Sequence, residues 1–347
     1  MSGVSKAIVQ PLLDWYDAGH RDLPWRSEPT PYRVWVSEIM LQQTRVEAVR
    51  GYFSRWMNAL PDIPALAAAD EAVYTKLWEG LGYYSRVRNL HRAAVLLCEE
   101  YGGELPADYD RLLALPGVGE YTAGAVASIA FGLPVPAVDG NVLRVAARLD
   151  NDFTPITDAK FKKQTRERFA ALMPSDRPGD LNQSLMELGA TVCLPNGAPR
   201  CADCPIQHLC EGFHRGNAAV LPLRAAKKAR RVENRTVLVV RCGQLVGLRQ
   251  RPKKGLLAGL WELPSLDGHL SPDELRAALT EMDWSVRKLL SLRPARHIFT
   301  HVEWHMNGVY VELDAPAPAL TFVPPAELRD AYALPSAFRS FVSVLED

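Results

Sequence analysis

Two carboxylates, a glycine-rich turn and a cluster of thiols are the residues of this chain whose types and spacing could do chemistry. Glu38 sits in Val34-Trp35-Val36-Ser37-Glu38-Ile39-Met40-Leu41, an otherwise apolar stretch at helical spacing. A carboxyl buried there would be desolvated and its pKa driven towards neutrality, as a general acid requires. The plain alternative is a glutamate at a helix start, beside a capping Ser37 and pointing to water. Asp139 follows an apolar run (135–138) and precedes Gly140-Asn141, so it equally suits an N-cap for a helix through Leu149. As a pair they suit glycosidic cleavage: one acid protonates the leaving group and one carboxylate stabilises an oxocarbenium-like sugar.

Leu115-Pro116-Gly117-Val118-Gly119 lies between a helical segment (109–115) and another starting near Tyr121. Two glycines let the backbone turn sharply, and amides at the positive end of the following helix suit a DNA phosphate. A plain helix–helix turn is the competing reading. Cys193, Cys201, Cys204 and Cys210 are spaced C-x7-C-x2-C-x5-C, close enough to close around one metal centre. A zinc ribbon would present two C-x2-C pairs and only one is here, while the spacing also departs from ferredoxin patterns. Thiol chemistry therefore leaves iron–sulfur and zinc evenly matched. Cys98, in an apolar helix, and Cys242, in a turn, read as structural.

The elements that must position these groups fall into two textures. At 347 residues the chain is long enough for two or three domains. Up to about Phe213 it reads as helices joined by short Gly/Pro turns, with helical spacing over 65–78, 87–101, 121–131, 137–149 and 181–192. Residues 216–232 are small, basic and contain Pro222, which is linker chemistry. Beyond Glu233 the pattern is α+β. A β-branched run (236–240) is followed by a Cys242-Gly243 turn, Asn307-Gly308 gives a two-residue hairpin signal, and Ser271-Pro272 opens a helix.

Forty basic residues against forty acidic ones give no global attraction to a polyanion. Between Glu211 and Glu233, however, Arg215, Arg224, Lys227, Lys228, Arg230 and Arg231 occur without an acid. That stretch reads as a solvated linker, with DNA backbone contact as the other possibility. No run of eighteen apolar residues exists to span a membrane, and the first residues lack a signal-peptide pattern. The expectation is a cytoplasmic protein, nucleoid-associated through DNA if bacterial, whose clustered thiols bind metal in a reducing compartment.

Taken jointly, Ser37-Glu38-Ile39-Met40-Leu41-Gln42-Gln43-Thr44, Gly80-Leu81-Gly82-Tyr83-Tyr84, Leu115–Gly119, Val138-Asp139-Gly140-Asn141-Val142 and the four cysteines resemble, in that order, the MutY adenine DNA glycosylases of the helix–hairpin–helix/endonuclease III superfamily. The resemblance covers roughly the whole chain and is strongest from Leu23 to Cys210. It implies a mostly α glycosylase domain with a 4Fe–4S lobe (1–215), its helical barrel and cluster lobe separated by a groove. A basic linker (216–232) and a C-terminal α+β Nudix-like domain (233–347) follow. The implied activity is removal of adenine mispaired with 8-oxoguanine or guanine in duplex DNA, by a monomer. Relatives with lyase activity carry a nucleophilic Lys two residues after the last hairpin glycine. Tyr121 stands there, which implies a monofunctional hydrolase.

The same resemblance implies roles for single residues. Glu38 is the general acid, Asp139 the carboxylate facing the sugar cation, and Tyr121 and Asn141 support them. Arg21, Trp25, Arg26 and Gln183 surround the extruded adenine; Gln43 and Tyr83 fill and wedge the duplex, and Leu115, Gly117, Val118 and Gly119 hold the DNA backbone. Cys193, Cys201, Cys204 and Cys210 hold the cluster. Phe299-Thr300-His301 stands where the family often has Phe-Ser-His against 8-oxoguanine. Two departures stand out: seven residues separate Cys193 from Cys201 where six are usual, and Gly259-Leu260-Trp261-Glu262-Leu263-Pro264 is not followed by the acidic metal-binding helix of Nudix hydrolases. The C-terminal domain is therefore expected to recognise the lesion without pyrophosphatase activity.

Overall fold

Aspartates start many of the helices. Asp62, Asp108, Asp139 and Asp158 each accept a backbone N–H at a helix N-terminus, satisfying donors that the helix itself leaves unpaired. The computed structural model describes residues 5–195, 197–224 and 229–345. The helices of the first part are α1 (Val9–Gly19), α2 (Pro31–Leu41), α3 (Val46–Ala59), α4 (Ile63–Ala67), α5 (Glu71–Leu77), α6 (Ser85–Tyr101), α7 (Tyr109–Ala114), α8 (Glu120–Phe131), α9 (Gly140–Leu149), α10 (Ala159–Ala170), α11 (Pro178–Thr191) and α12 (Glu211–His214). There follow β1 (Arg231–Cys242), β2 (Leu245–Gln250), β3 (Trp261–Glu262), β4 (Ser265–Asp267), α13 (Pro272–Glu281), β5 (Val286–Ile298), β6 (Val302–Leu313), β7 (Thr321–Val323), α14 (Pro325–Asp330) and α15 (Arg339–Val342).

The chain divides into two compact units, one of Met1–Ala69 with Arg86–Ala226 and the other of Asp70–Ser85 with Lys227–Asp347. The helical segment read over 65–78 is therefore not one helix. It breaks between α4 and α5, and α5 belongs to the C-terminal unit. There Lys76 Nζ donates to the carbonyls of Leu328 and Tyr332 at the end of α14, at 3.4 and 3.1 Å, and Glu79 accepts from Leu334 N at 2.8 Å. Residues 216–224 are tied to the helical unit: Arg148 Nε donates to Leu221 O (2.9 Å) and Ile156 N to Leu223 O (3.1 Å). Of the basic run, Arg215 pairs with Glu211 and Arg231 with Glu233; Lys227 and Lys228 lie outside the described residues.

In the helical unit, α1, α9 and α11 share a core that includes Leu12, Val145, Leu181 and Leu185. The segment before α9 is extended, not helical as its apolar run suggests. Asn182 of α11 accepts from Ala137 N (2.9 Å) and donates to Val135 O (2.9 Å), so a side chain supplies the partners a helix would have used.

In the second unit the sheet order is β3-β2-β1-β6-β5, with β4 on β1 and β7 on β2. The β1–β6 pair is parallel and the others are antiparallel. Side chains alternate along β1: Val237 and Val239 meet Phe338 and Phe341 on one face, and Leu238 and Val240 meet Leu275 and Leu279 of α13 on the other. The Asn307-Gly308 signal does not make a hairpin. β6 runs straight through it, with Asn307 and Gly308 opposite Thr236 and Val237. Gly308 is required because a Cβ there would stand 2.4 Å from the Phe341 ring. The reversal is instead at 299–301, where Phe299 N donates to Val302 O at 2.8 Å. Ser271 caps α13 in a full capping box with Glu274.

Candidate active site

Glu38 lies well inside α2, whose N-cap is Thr30 with Pro31 in the first turn. It is thus no helix-start residue, and Ser37, instead of capping, donates its hydroxyl to Val34 O at 2.8 Å. The Glu38 side chain is buried, only 5% exposed. Tyr121 Oη donates to Glu38 Oε2 at 2.5 Å, and the Met186 sulfur stands 3.1 Å from the same hydroxyl. Burial raises the Glu38 carboxyl from 4.5 to about 7. The Tyr121 hydrogen bond opposes that rise, nearby Asp139 adds to it, and Arg26 opposes it weakly. Burial and the two carboxylates push Tyr121 well above the usual phenol value, so it remains a donor.

Asp139 is an N-cap whose carboxyl also lines the cavity that holds Glu38. Its Oδ1 accepts from the backbone N of Asn141 (2.8 Å) and Val142 (2.9 Å) as the N-cap of α9, and its Oδ2 accepts from Asn141 Nδ2 (2.6 Å). Burial raises its carboxyl, while these three donors and the Arg144 charge work the other way. Asn141 is held in turn by Arg144, whose Nη2 donates to Asn141 Oδ1 (2.8 Å) and to Gly189 O (2.7 Å). Among the described residues Glu38 has a single donor and Asp139 three. Both carboxyls stand above their ordinary values because they are buried, and Asp139 has three donors to offset that burial where Glu38 has one.

Both carboxyls line one cavity of about 650 Å³, together with Tyr121, Asn141, Arg21, Trp25, Arg26, Gln183, Gln43, Gly117 and Gly119. That volume suits a nucleoside-sized guest. Gly117 has φ +77°, and a Cβ there would meet Asn89 at 2.5 Å, so only glycine fits this turn. Leu115 and Val118 are buried, and the Val118 N–H is used by Leu115 O (3.1 Å). Their side chains pack the turn and do not line the cavity.

Gln43 and Tyr83, non-glycine residues, have positive φ, 58° and 49°. Such backbone strain is sustained only where surroundings enforce it. Tyr83 and the 299–301 turn belong to the C-terminal unit, where Tyr83 Oη and Thr300 Oγ1 stand 2.5 Å apart. Phe299 packs edge-on against Trp304 and His297, and Arg230 Nε donates to Phe299 O at 3.2 Å. His301 is exposed.

Cys193, Cys201, Cys204 and Cys210 ring one pocket otherwise lined mainly by apolar side chains such as Val145, Leu149, Leu188 and Ile206. Among the described residues no three His, Cys, Asp or Glu side chains are grouped as ligands of a single ion. An all-sulfur donor set suits soft centres, iron–sulfur clusters among them. Arg148 Nη1 donates to Cys193 Sγ at 3.1 Å, placing a cation beside a prospective thiolate. Without a metal, burial pushes the Cys204 thiol up to about 12 and raises Cys201 and Cys210 as well. Cys98 and Cys242 are not part of this ring.

Sequence reasoning missed Met186 and Glu187. Glu187 is buried on α11 and bridges Arg21 (Nε 2.7 Å) and Arg26 (Nη2 2.9 Å). An acid in an apolar helix, four residues after Gln183, carried the same signal that picked out Glu38.

Comparison with known proteins agrees with this geometry. Residues 36–172 match the HhH-GPD superfamily of base excision DNA repair proteins, and residues 236–344 match a NUDIX domain. The chain is 39% identical to an adenine DNA glycosylase of Mus musculus, over 91% of this chain and 72% of the relative. It is 30% identical to the one from Buchnera aphidicola subsp. Schizaphis graminum, over 88% and 87%. The chain belongs to the MutY family of adenine DNA glycosylases. Its helical part is similar to a thermostable thymine-DNA glycosylase (27% identity, TM-score 0.54, 60% of this chain and 96% of that one). A trapped endonuclease III–DNA covalent intermediate is similar too (26%, 0.51, 61% and 99%). The adenine DNA glycosylase fold is thus an endonuclease III-like helical domain followed by a Nudix-like sheet domain, and the chain is a DNA N-glycosylase. Among the described residues no helix is long and apolar enough to cross a membrane.

Proposed function

We propose that this enzyme hydrolyses the N-glycosidic bond of adenine opposite 8-oxoguanine or guanine in duplex DNA and leaves an abasic site. The observation that carries the reading is the buried Glu38 carboxyl, raised to about 7 and hydrogen-bonded to Tyr121 in the position where lyases of the superfamily hold a lysine. The target nucleotide leaves the stack, since the bond is shielded inside the duplex, and enters the cavity. Glu38 protonates the departing base, at N7 of adenine. Asp139, held by Asn141 and the first amides of α9, faces the sugar cation as it forms. With a phenol in place of an amine, water is the final acceptor, admitted by the Glu38 carboxylate left after proton transfer.

Arg21, Trp25, Arg26 and Gln183 bind the adenine, and the Gly117–Gly119 turn presents its backbone to a phosphate. Gln43 and Tyr83 enter the duplex, and Phe299-Thr300-His301 reads the oxidised guanine. The Tyr83–Thr300 contact supports treating wedge and reader as one device. Cys193, Cys201, Cys204 and Cys210 hold a 4Fe–4S cluster that braces the fold around them.

The test is single-turnover base release from adenine opposite 8-oxoguanine, run beside a thymine glycol duplex and with borohydride present. The expected result is release of adenine alone, without a trapped adduct. Release from thymine glycol, or a borohydride-stable adduct, would overturn the reading.

A further inference from the structure

Two arginines on the wall of a pocket where positive charge must develop are a problem the fold has to solve. Base protonation and bond breakage leave a cation on the sugar, which two free guanidiniums would oppose. Glu187 bears on both. It is 2% exposed and accepts from Arg21 three times, through N (3.2 Å), Nε (2.7 Å) and Nη2 (3.0 Å), and from Arg26 Nη2 (2.9 Å). Arg26 Nη1 donates to Arg21 O (3.0 Å), and the Arg26 guanidinium lies 5.5 Å from the Tyr16 ring centroid. Arg21 Nη1 and Arg26 Nε have no protein partner among the described contacts, so each arginine keeps a donor for a guest.

We infer that Glu187 is a positioning residue for base release: it fixes Arg21 and Arg26 as one half-neutralised unit, aimed at the base edge and muted towards the reacting sugar. The inference rests on the proposed adenine chemistry and adds a residue to it. Burial alone would raise the Glu187 carboxyl, but hydrogen bonds and charge from the two arginines outweigh that and keep it ionised. Other elements around Glu38 present Tyr121 from α8, Asp139 from the start of α9, and Arg86 of α6 bonded to the Ile39 and Met40 carbonyls. Met186, next to Glu187, touches Tyr121, so one turn of α11 bears on both halves of the site.

The experiment is the pH dependence of single-turnover adenine release, with duplex affinity and melting midpoint measured on the same full-length proteins. Glu187→Gln keeps the shape but leaves both guanidinium charges uncancelled. Release should slow roughly tenfold or more with duplex affinity retained. Its alkaline limb should move down by roughly half a pH unit or more, because extra positive charge favours ionised Glu38. Arg26→Gln should move the limb upward. Glu187→Asp, which keeps the charge, should hold the limb in place. An unmoved limb in Glu187→Gln, or the same direction of movement in Glu187→Gln and Arg26→Gln, overturns the inference. So does a rate loss that follows affinity and melting midpoint equally in Glu187→Gln and Glu187→Asp. Failure of the parent enzyme to release adenine would instead defeat the underlying chemistry.

Discussion

Replacing Glu38 by Gln should make the protein more stable as it makes it inactive, and the gain should depend on pH. A carboxyl whose pKa rises from 4.5 to about 7 on folding carries about 3 kcal/mol of differential cost for its ionised form. Between those values the folded state binds more protons than the unfolded chain, so stability falls as pH rises through the window. Below 4.5 both states are protonated and the cost is absent; above 7 it is fully present. Gln is neutral and still offers an oxygen to the Tyr121 hydroxyl. Glu38→Gln should therefore gain about 3 kcal/mol at pH 8.5 and only about 1 kcal/mol at pH 5.5. For a unit of about 200 residues, the larger figure is a rise of roughly 6–12 °C in melting midpoint. Urea unfolding of the DNA-free protein at the two pH values, followed beside base release, measures it. Release should fall by about a hundredfold or more. A stability gap that stays the same at both pH values, or a variant less stable than the parent at pH 8.5, would refute the claim that burial sets this carboxyl's pKa.

Three further outcomes are expected. Asp139→Asn should leave stability within about 1 kcal/mol, since Asn caps a helix as well as Asp, while base release drops about a hundredfold or more; melting and single-turnover rates separate the two effects. Thr300→Val and Tyr83→Phe each remove one hydroxyl of the 2.5 Å contact and should cut the preference for 8-oxoguanine over guanine by roughly tenfold, read as the ratio of release rates from the two mispairs. Cutting the chain after Glu233 is a poorer test, because it would strip α5 of the unit it packs in. Cys204→Ser should lower the bound iron measured by metal analysis and bring down the melting midpoint of the helical unit, because thiols pushed up by burial gain their ionised form only by binding metal.

The local grammar of the chain made much of this protein legible. The apolar setting of Glu38 offered burial as one of two readings, the Asp139-Gly140-Asn141 sequence suited a cap, and the clustering of four thiols singled them out as a set, since each signal depends on neighbours within a few residues. The burial of Glu38 and its place in one cavity with Asp139, Tyr121 and Glu187 were decided only by tertiary packing of α2, α8, α9 and α11. The Asn307-Gly308 pair shows the limit plainly. Locally it spells a turn, but the ring of Phe341 needs the space that a side chain at Gly308 would take, and parallel pairing with β1 keeps β6 straight. The break between α4 and α5 follows the same logic: helical periodicity continues across residues 65–78, but Lys76 and Glu79 find their partners in the C-terminal unit. Spacing along a chain reports which face a residue can occupy. Only the folded whole determines which distant groups stand opposite, and burial and opposing charge then set the protonation state that the chemistry needs.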